Sequence, residues 1–320
     1  MSTTSALEFS NLPTDAIGKI IEKCDLKEQL TLRKVSKDLR SLVDEQKSAY
    51  KSIAIYLTES FFSCVYNGKN VVYAGMNFDQ KNAFGFDYKG CFIRSNDYVK
   101  IALNDVAIAL NNPKLRLDDL NLTVYHPSPD VMNRFRLLPN SLNHQIHVKT
   151  LTVHAGNPEF LLSILPFLKP KMLANIEVLG GGGGTEIWAS EKGAERVKKI
   201  SSLEQWKQAE QLTAEDCFHY FPSEFLMHFK RFVILDWDVT EQSLINLRDF
   251  FSTSTNFESC TVESDLDDSS EYLESFCEQV DTGDEDVLLY NYKIPDDSNQ
   301  ILEFKLDYDQ QKMIISKKRL

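Results

Sequence analysis

The strongest constraint in this sequence is a short apolar-x-apolar core that recurs from Leu122 to Val262. It occurs at Leu122-Thr-Val124, Leu151-Thr-Val153, Ile176-Glu-Val178, Phe232-Val-Ile234 and Cys260-Thr-Val262, in steps of 29, 25, 56 and 28 residues. The long step is twice 28, which puts a skipped unit near Leu212. Apolar residues alternating over so few positions describe half-buried strands. Helix-like stretches fall between them at 129–138, 158–168, 203–211 and 241–251, the last opened by Thr240-Glu241-Gln242-Ser243. A strand and a helix every ~28 residues cannot bury their apolar faces alone, so neighbouring units must stack over one continuous core. The pattern predicts an irregular, leucine-rich-repeat-like β/α solenoid. A β/α sandwich is the alternative, because the steps are uneven and no diagnostic Asn position stands out.

The flanks differ. Residues 287–294, 301–306 and 312–316 alternate or run apolar, separated by turn-forming stretches at 295–299 and 307–311. That reads as an antiparallel meander, placed to cap the open end of a repeat stack. Upstream, 53–57 and 71–73 read as strands around an Asn67-Gly68 turn, and a helix over 97–110 stops at Asn111-Asn112-Pro113.

The first fifty residues predict three short helices. Pro13 suits a first helical turn, where its missing N–H would have no partner anyway. Ile17, Ile20 and Ile21 follow at i, i+3 and i+4 on one face. Asp25 and Glu28 have capping-box spacing, and Leu26 and Leu30 form the stripe of the second helix. Ser36 is placed to cap the third, in which Leu39, Leu42 and Val43 repeat the helical spacing. A unit this small is commonly stabilised by a partner or a following domain.

These residues resemble a known motif. Leu12-Pro13, Ile17, Ile20, Leu30, Arg33, Val35-Ser36-Lys37, Leu39, Arg40 and Leu42 look like an F-box spanning residues 9–46. Cys24 stands where Leu is common and Leu39 where many members carry Trp, and both keep an apolar side chain. Further on, Leu203-x-x-Trp206-Lys207-Gln208-Ala209, then 225–235, 240–251 and Cys260-Thr-Val262, are similar in order to the FTH domain of the nematode-expanded F-box A family. The expected organisation is an F-box at 9–46, a connecting α+β segment at 47–112, and an FTH-like β/α repeat domain with its meander at 113–320. The fold class is α+β or α/β.

The resemblance implies a substrate adaptor of an SCF-type ubiquitin ligase. Its F-box would dock a Skp-family adaptor and, through it, a cullin, while the C-terminal domain would choose an unidentified target. Leu12, Pro13, Ile17, Ile20, Ile21, Leu30, Val35 and Leu39 would supply the docking knobs, with Arg33 and Ser36 holding the helical turns. Each fully buried aliphatic knob is worth ~1.5–3 kcal/mol. The same apolar residues would equally serve a small local core. A scaffold that binds without ubiquitin transfer is the alternative function.

Other chemistry is not expected. The net charge is −12, and residues 258–286 carry acidic side chains with no Lys or Arg, so no basic nucleic-acid face is foreseen. That acidic segment reads as a solvated face or as a contact surface for a basic target. Lys317, Lys318 and Arg319 read as a solvated end. Cys24, Cys64, Cys91, Cys217, Cys260 and Cys277 lie too far apart for a disulfide framework or a zinc site, and free thiols are expected. Gly180-Gly-Gly-Gly-Gly184 continues into Thr185-Glu186, without the Lys-Ser/Thr of a phosphate loop. His144 and His147 would share a helical turn but have no further ligand at a characteristic spacing. No enzymatic constellation, cofactor or metal is therefore predicted. Trp188, Trp206 and Trp237 read as core residues, any exposed one becoming a hot-spot candidate. No apolar run approaches the ~18 residues of a membrane span. With no signal-peptide pattern at the N-terminus, a cytoplasmic or nuclear location is expected.

Overall fold

Alternation and helical periodicity, read along the chain, map onto a mixed α/β structure. The computed structural model describes residues 12–24, 26–45, 50–78, 90–125, 128–154, 156–180, 185–281, 283, 287–295 and 299–319. The chain divides into two compact units, Met1–Asp118 with Pro127–Ile146, and Asp119–His126 with His147–Leu320.

The first unit begins with three helices, α1 (Thr14–Lys23), α2 (Leu26–Val35) and α3 (Lys37–Glu45). Strands β1 (Ser52–Thr58), β2 (Phe61–Tyr66) and β3 (Lys69–Ala74) form an antiparallel meander, and β4 (Gly90–Arg94) joins β3 in parallel. The β2–β3 turn is Asn67-Gly68, both at positive φ (48° and 81°). This is the geometry that a two-residue hairpin needs and that Asn-Gly adopts at little cost. Helix α4 (Tyr98–Leu110) buries Val99, Ala102, Val106, Ala109 and Leu110, and packs on β2 and β3. Its buried Asp105 accepts a hydrogen bond from Tyr73 Oη at 3.1 Å, which offsets part of the cost of burying a carboxyl group. Helix α5 (Pro129–Leu137) is capped by Ser128 and sets Phe135 against Phe62, ring centroids 6.4 Å apart.

The second unit holds the recurring strands: β5 (Arg116–Tyr125, in this unit from Asp119), β6 (His147–His154), β7 (Asn175–Leu179), β8 (Gln211–Glu215), β9 (Arg231–Leu235) and β10 (Ser259–Glu263). From β6 to β10 they are parallel neighbours in chain order. The skipped repeat is β8, with Leu212 and Ala214 buried as the alternation requires. The crossovers use α6 (Pro158–Ile164), then α7 (Thr185–Ala189), α8 (Glu191–Ser202) and α9 (Glu204–Lys207), and finally α10 (Glu241–Thr253). Between β8 and β9 two 3-10 turns, Phe218–Tyr220 and Ser223–Phe225, take the helix's place. A short helix α11 (Ser269–Glu274) leads to β11 (Glu278–Val280), and β12 (Val287–Lys293), β13 (Gln300–Asp307) and β14 (Lys312–Arg319) form the expected meander. Strand β14 pairs antiparallel with β10, so the meander closes that side of the parallel run.

Aromatic residues fill the core. Phe232 meets Phe218, Phe229, Phe250, Phe251 and Phe257 with centroids 5.4–6.3 Å apart. Trp206 stacks on Phe221 at 5.0 Å and donates from Nε1 to the Phe225 carbonyl at 3.0 Å. Such aromatic pairs add ~0.5–1.5 kcal/mol beyond area burial.

Several expectations are corrected. The helix foreseen over 203–211 is only α9, because the backbone of Gln211 is committed to strand pairing with Asn175 and Arg231. Lys317 is not a solvated end: its Nζ donates to the carbonyls of Ser252 and Ser254 at 3.2 and 3.0 Å, meeting the orphan acceptors at the end of α10. Lys318 pairs with Glu303 at 2.5 Å. Pro13 stands one position outside α1, at its N-cap. His144 lies in non-helical backbone and His147 opens β6, so they share no helical turn.

Candidate docking surface of the N-terminal helices

Pro13 is the N-cap of α1, and its carbonyl accepts the amides of Ala16 and Ile17 at 2.9 and 3.1 Å. It ends at Cys24, which has extended backbone. The Gln29 side-chain amide then donates to the carbonyls of Ile21 and Cys24 at 3.2 and 3.0 Å, tying the end of α1 to the second turn of α2. Ser36 Oγ accepts the amide of Leu39 at 3.1 Å and caps α3. Arg40 Nε donates to the Arg33 carbonyl at 3.3 Å across the α2–α3 corner. These bonds fix the angles between helices too short to persist alone.

The apolar residues divide between two destinations. Ile17, Ile21, Leu39 and Val43 are buried together, with Leu12, Leu32 and Leu42 packed against them. Ile20 and Val35 stay exposed, at 41 % and 67 %, as does Pro13. Arg33 is half-buried and Ser36 is exposed. The side chain of Leu30 and all of Asp25 lie outside the described residues. Thus Ile17 and Ile21 at i and i+4 face inward, while Ile20 is turned off that line. Gln29 was not singled out from the sequence, because a lone Gln in a helix gives no signal of the two distant carbonyls it joins.

Elsewhere the described residues offer little for chemistry. They contain no group of three or more His, Cys, Asp and Glu side chains arranged to hold a metal ion. Among the described residues no helix is long and apolar enough to cross a membrane. None of the six cysteines is in a disulfide, and burial pushes the Cys217 and Cys277 thiols up to about 12 and those of Cys64 and Cys260 higher, which suppresses the reactive thiolate. Gly180 donates its amide to Glu215 Oε2 at 2.6 Å, and residues 181–184 lie outside the described part. A carboxylate on that amide is the opposite of what a phosphate would need.

The F-box domain model matches residues 9–51 and the FTH domain model matches residues 129–279. F-box A protein 224 of Caenorhabditis elegans is 22 % identical over 301 residues, which cover 90 % of this chain and 74 % of that protein. The helices α1 to α3 lie within the first match, and the parallel strands β6 to β10 lie within the second. The chain carries an F-box domain at residues 9–51 and an FTH domain at residues 129–279.

Proposed function

We propose that this protein is a substrate-recognition adaptor of an SCF-type ubiquitin ligase. Its F-box docks a Skp-family adaptor and through it a cullin, and the FTH region selects the target. The observation that carries the reading is the divided apolar set of the F-box. Ile17, Ile21, Leu39 and Val43 form the local core, which leaves Pro13, Ile20 and Val35 uncovered. Exposed aliphatic side chains on short helices suit insertion into a partner's groove. The docking set is therefore the exposed trio flanked by Leu12, with Ile17, Ile21 and Leu39 acting from beneath, Arg33 and Ser36 holding the corners, and Leu30 retained as a contact.

The run β6 to β10 supports reading the second unit as a leucine-rich-repeat-like solenoid closed by the meander. In this reading the protein makes and breaks no bonds. It raises the effective concentration of target lysines at a transferring enzyme supplied by the assembly, and it works in the cytoplasm or nucleus without cofactor or metal.

The test is purification of the full chain from cells with Skp-family adaptor and cullin measured together, and target ubiquitination followed on depletion. Recovery of both partners is expected. Recovery of the adaptor without cullin would support the alternative, a scaffold acting without ubiquitin transfer. Recovery of neither, from folded protein, would end the ligase reading.

A further inference from the structure

The FTH unit has a polar asymmetry along its strands. At the ends where β8, β9 and β10 start, cations find partners: Lys230 and Arg231 pair with Glu210 at 2.9 and 3.3 Å, and Arg231 pairs with Glu258 at 2.9 Å. Where the same strands finish, the residues are mainly acidic. Register sets Glu215, Leu235 and Glu263 abreast, about 4.8 Å apart from strand to strand. Asp216 follows the first, Asp236-Trp237-Asp238 the second, and Asp265, Asp267 and Asp268 the third. The Asp236 amide donates to the Glu263 carbonyl at 3.1 Å and Ser264 Oγ donates to the Trp237 carbonyl, so the last two strand ends are held as one edge. Glu263 pairs with Lys312 at 2.9 Å. Asp216, Asp236, Asp238, Asp265, Asp267 and Asp268 are exposed and join no ion pair among the described residues.

Apolar surface accompanies this charge. Trp188 and Trp206 are buried, but Trp237 is only half-buried, between two exposed aspartates. Leu179, Val233 and Leu235 alternate with the core residues of their strands, lie on the opposite sheet face, and are half-buried. The acidic run of the sequence is thus not itself the feature. Its Glu258 and Glu278 are paired with Arg231 and Lys293, whereas Glu215 and Asp216 at the end of β8 and Asp236 and Asp238 after β9 lie outside it.

We propose that this sheet face and its acidic strand-end rim dock a Lys/Arg-rich segment of the target protein, with Trp237 as the anchor. The occupant follows from charge complementarity. Unpaired carboxylates beside an indole face favour a cationic side chain over a neutral or acidic one, through ion pairing and cation–π attraction. The inference rests on the adaptor reading and names the chemistry of its target.

The probe is a fluorescent peptide of Lys, Arg, Gly and Leu, beside a version with Gln for every Lys and Arg, titrated by anisotropy into the full chain. The basic peptide should bind, weakening as salt rises, and the Gln version should not. Asp236→Asn/Asp238→Asn should raise Kd about 3–10-fold, and Trp237→Ala, which leaves the charge unchanged, about tenfold or more. Glu191→Gln/Glu195→Gln on α8 removes the same charge elsewhere and should leave Kd within about twofold, as rim-specific pairing requires. No binding, equal binding of both peptides, or an equal loss in the α8 variant would overturn the proposal. The aspartate variant alters only exposed side chains, so it decides the matter even if Trp237→Ala fails to fold. Each preparation is also titrated with a Skp-family adaptor. Adaptor binding without peptide binding removes only this inference, and peptide binding without adaptor binding removes the ligase reading instead.

Discussion

The three N-terminal helices and the strands β7 to β10 solve the same problem at different scales. The helices are too small to bury every apolar residue they carry. Ile17, Ile21, Leu39 and Val43 close a minimal core while Ile20 and Val35 remain in water. The strands stack side by side, so each covers its neighbour, and among their described residues no large apolar side chain is exposed. The difference teaches where each region can recognise a partner. On the proposed function, the helices would offer uncovered aliphatic surface, and the strand ends would offer charge and the half-buried Trp237.

That comparison can be broken most directly at Phe232, which touches five other aromatic rings. Phe232→Ala should destabilise the FTH unit by ~3–5 kcal/mol, measured as a drop in the urea midpoint. A loss under ~1 kcal/mol would mean that the stacked core repacks freely. In the small unit, Ile21→Ala should cost ~2–4 kcal/mol and remove hydrogen-exchange protection from residues 14–45 before that of β7 to β10. Simultaneous loss in both regions would show that the helices are not a separate cooperative element.

A smaller effect belongs to the capping box of α10, where Thr240 Oγ1 accepts the Ser243 amide at 3.2 Å and Ser243 Oγ accepts the Thr240 amide at 2.7 Å. Thr240→Ala should cost ~1 kcal/mol, read as a shift in thermal midpoint. The smallest concerns His228, whose ring N–H donates to the Trp206 carbonyl at 2.8 Å. Burial lowers its pKa, only partly opposed by that hydrogen bond. Because the native state disfavours the imidazolium, His228 contributes fully above the unfolded value of ~6.5, and its contribution is lost as pH falls through the depressed native value. The thermal midpoint should therefore fall on acidification from pH 7, and less so in His228→Gln. An equal fall in both would assign the effect to other groups.

Much of the fold was legible because it rests on local alternation. The doubled step of 56 residues marked the skipped strand near Leu212, and Thr240 marked the start of α10. The misreadings share a cause. Gln211 looked helical because its strand partners, Asn175 and Arg231, are distant in sequence. Lys317 looked solvated because the carbonyls it meets, at Ser252 and Ser254, lie more than sixty residues upstream. At the candidate site, periodicity put Ile17, Ile20 and Ile21 on one stripe. It could not tell which edge of that stripe a neighbouring helix would cover, since that depends on corners set by Gln29, Ser36 and Arg40. Trp237 gave no sign of its position, as only the packing separates it from Trp188 and Trp206.

The central claim is that the F-box divides its apolar residues between a local core and a docking surface. Calorimetric titration of a Skp-family adaptor into the full chain and into Pro13→Ala/Ile20→Ala/Val35→Ala tests it most directly. The account predicts an unchanged thermal midpoint in the variant, because these side chains are exposed, with binding weakened by about 100-fold or more as anchors are lost. Undiminished binding by the folded variant would contradict it, and would return these residues to ordinary surface.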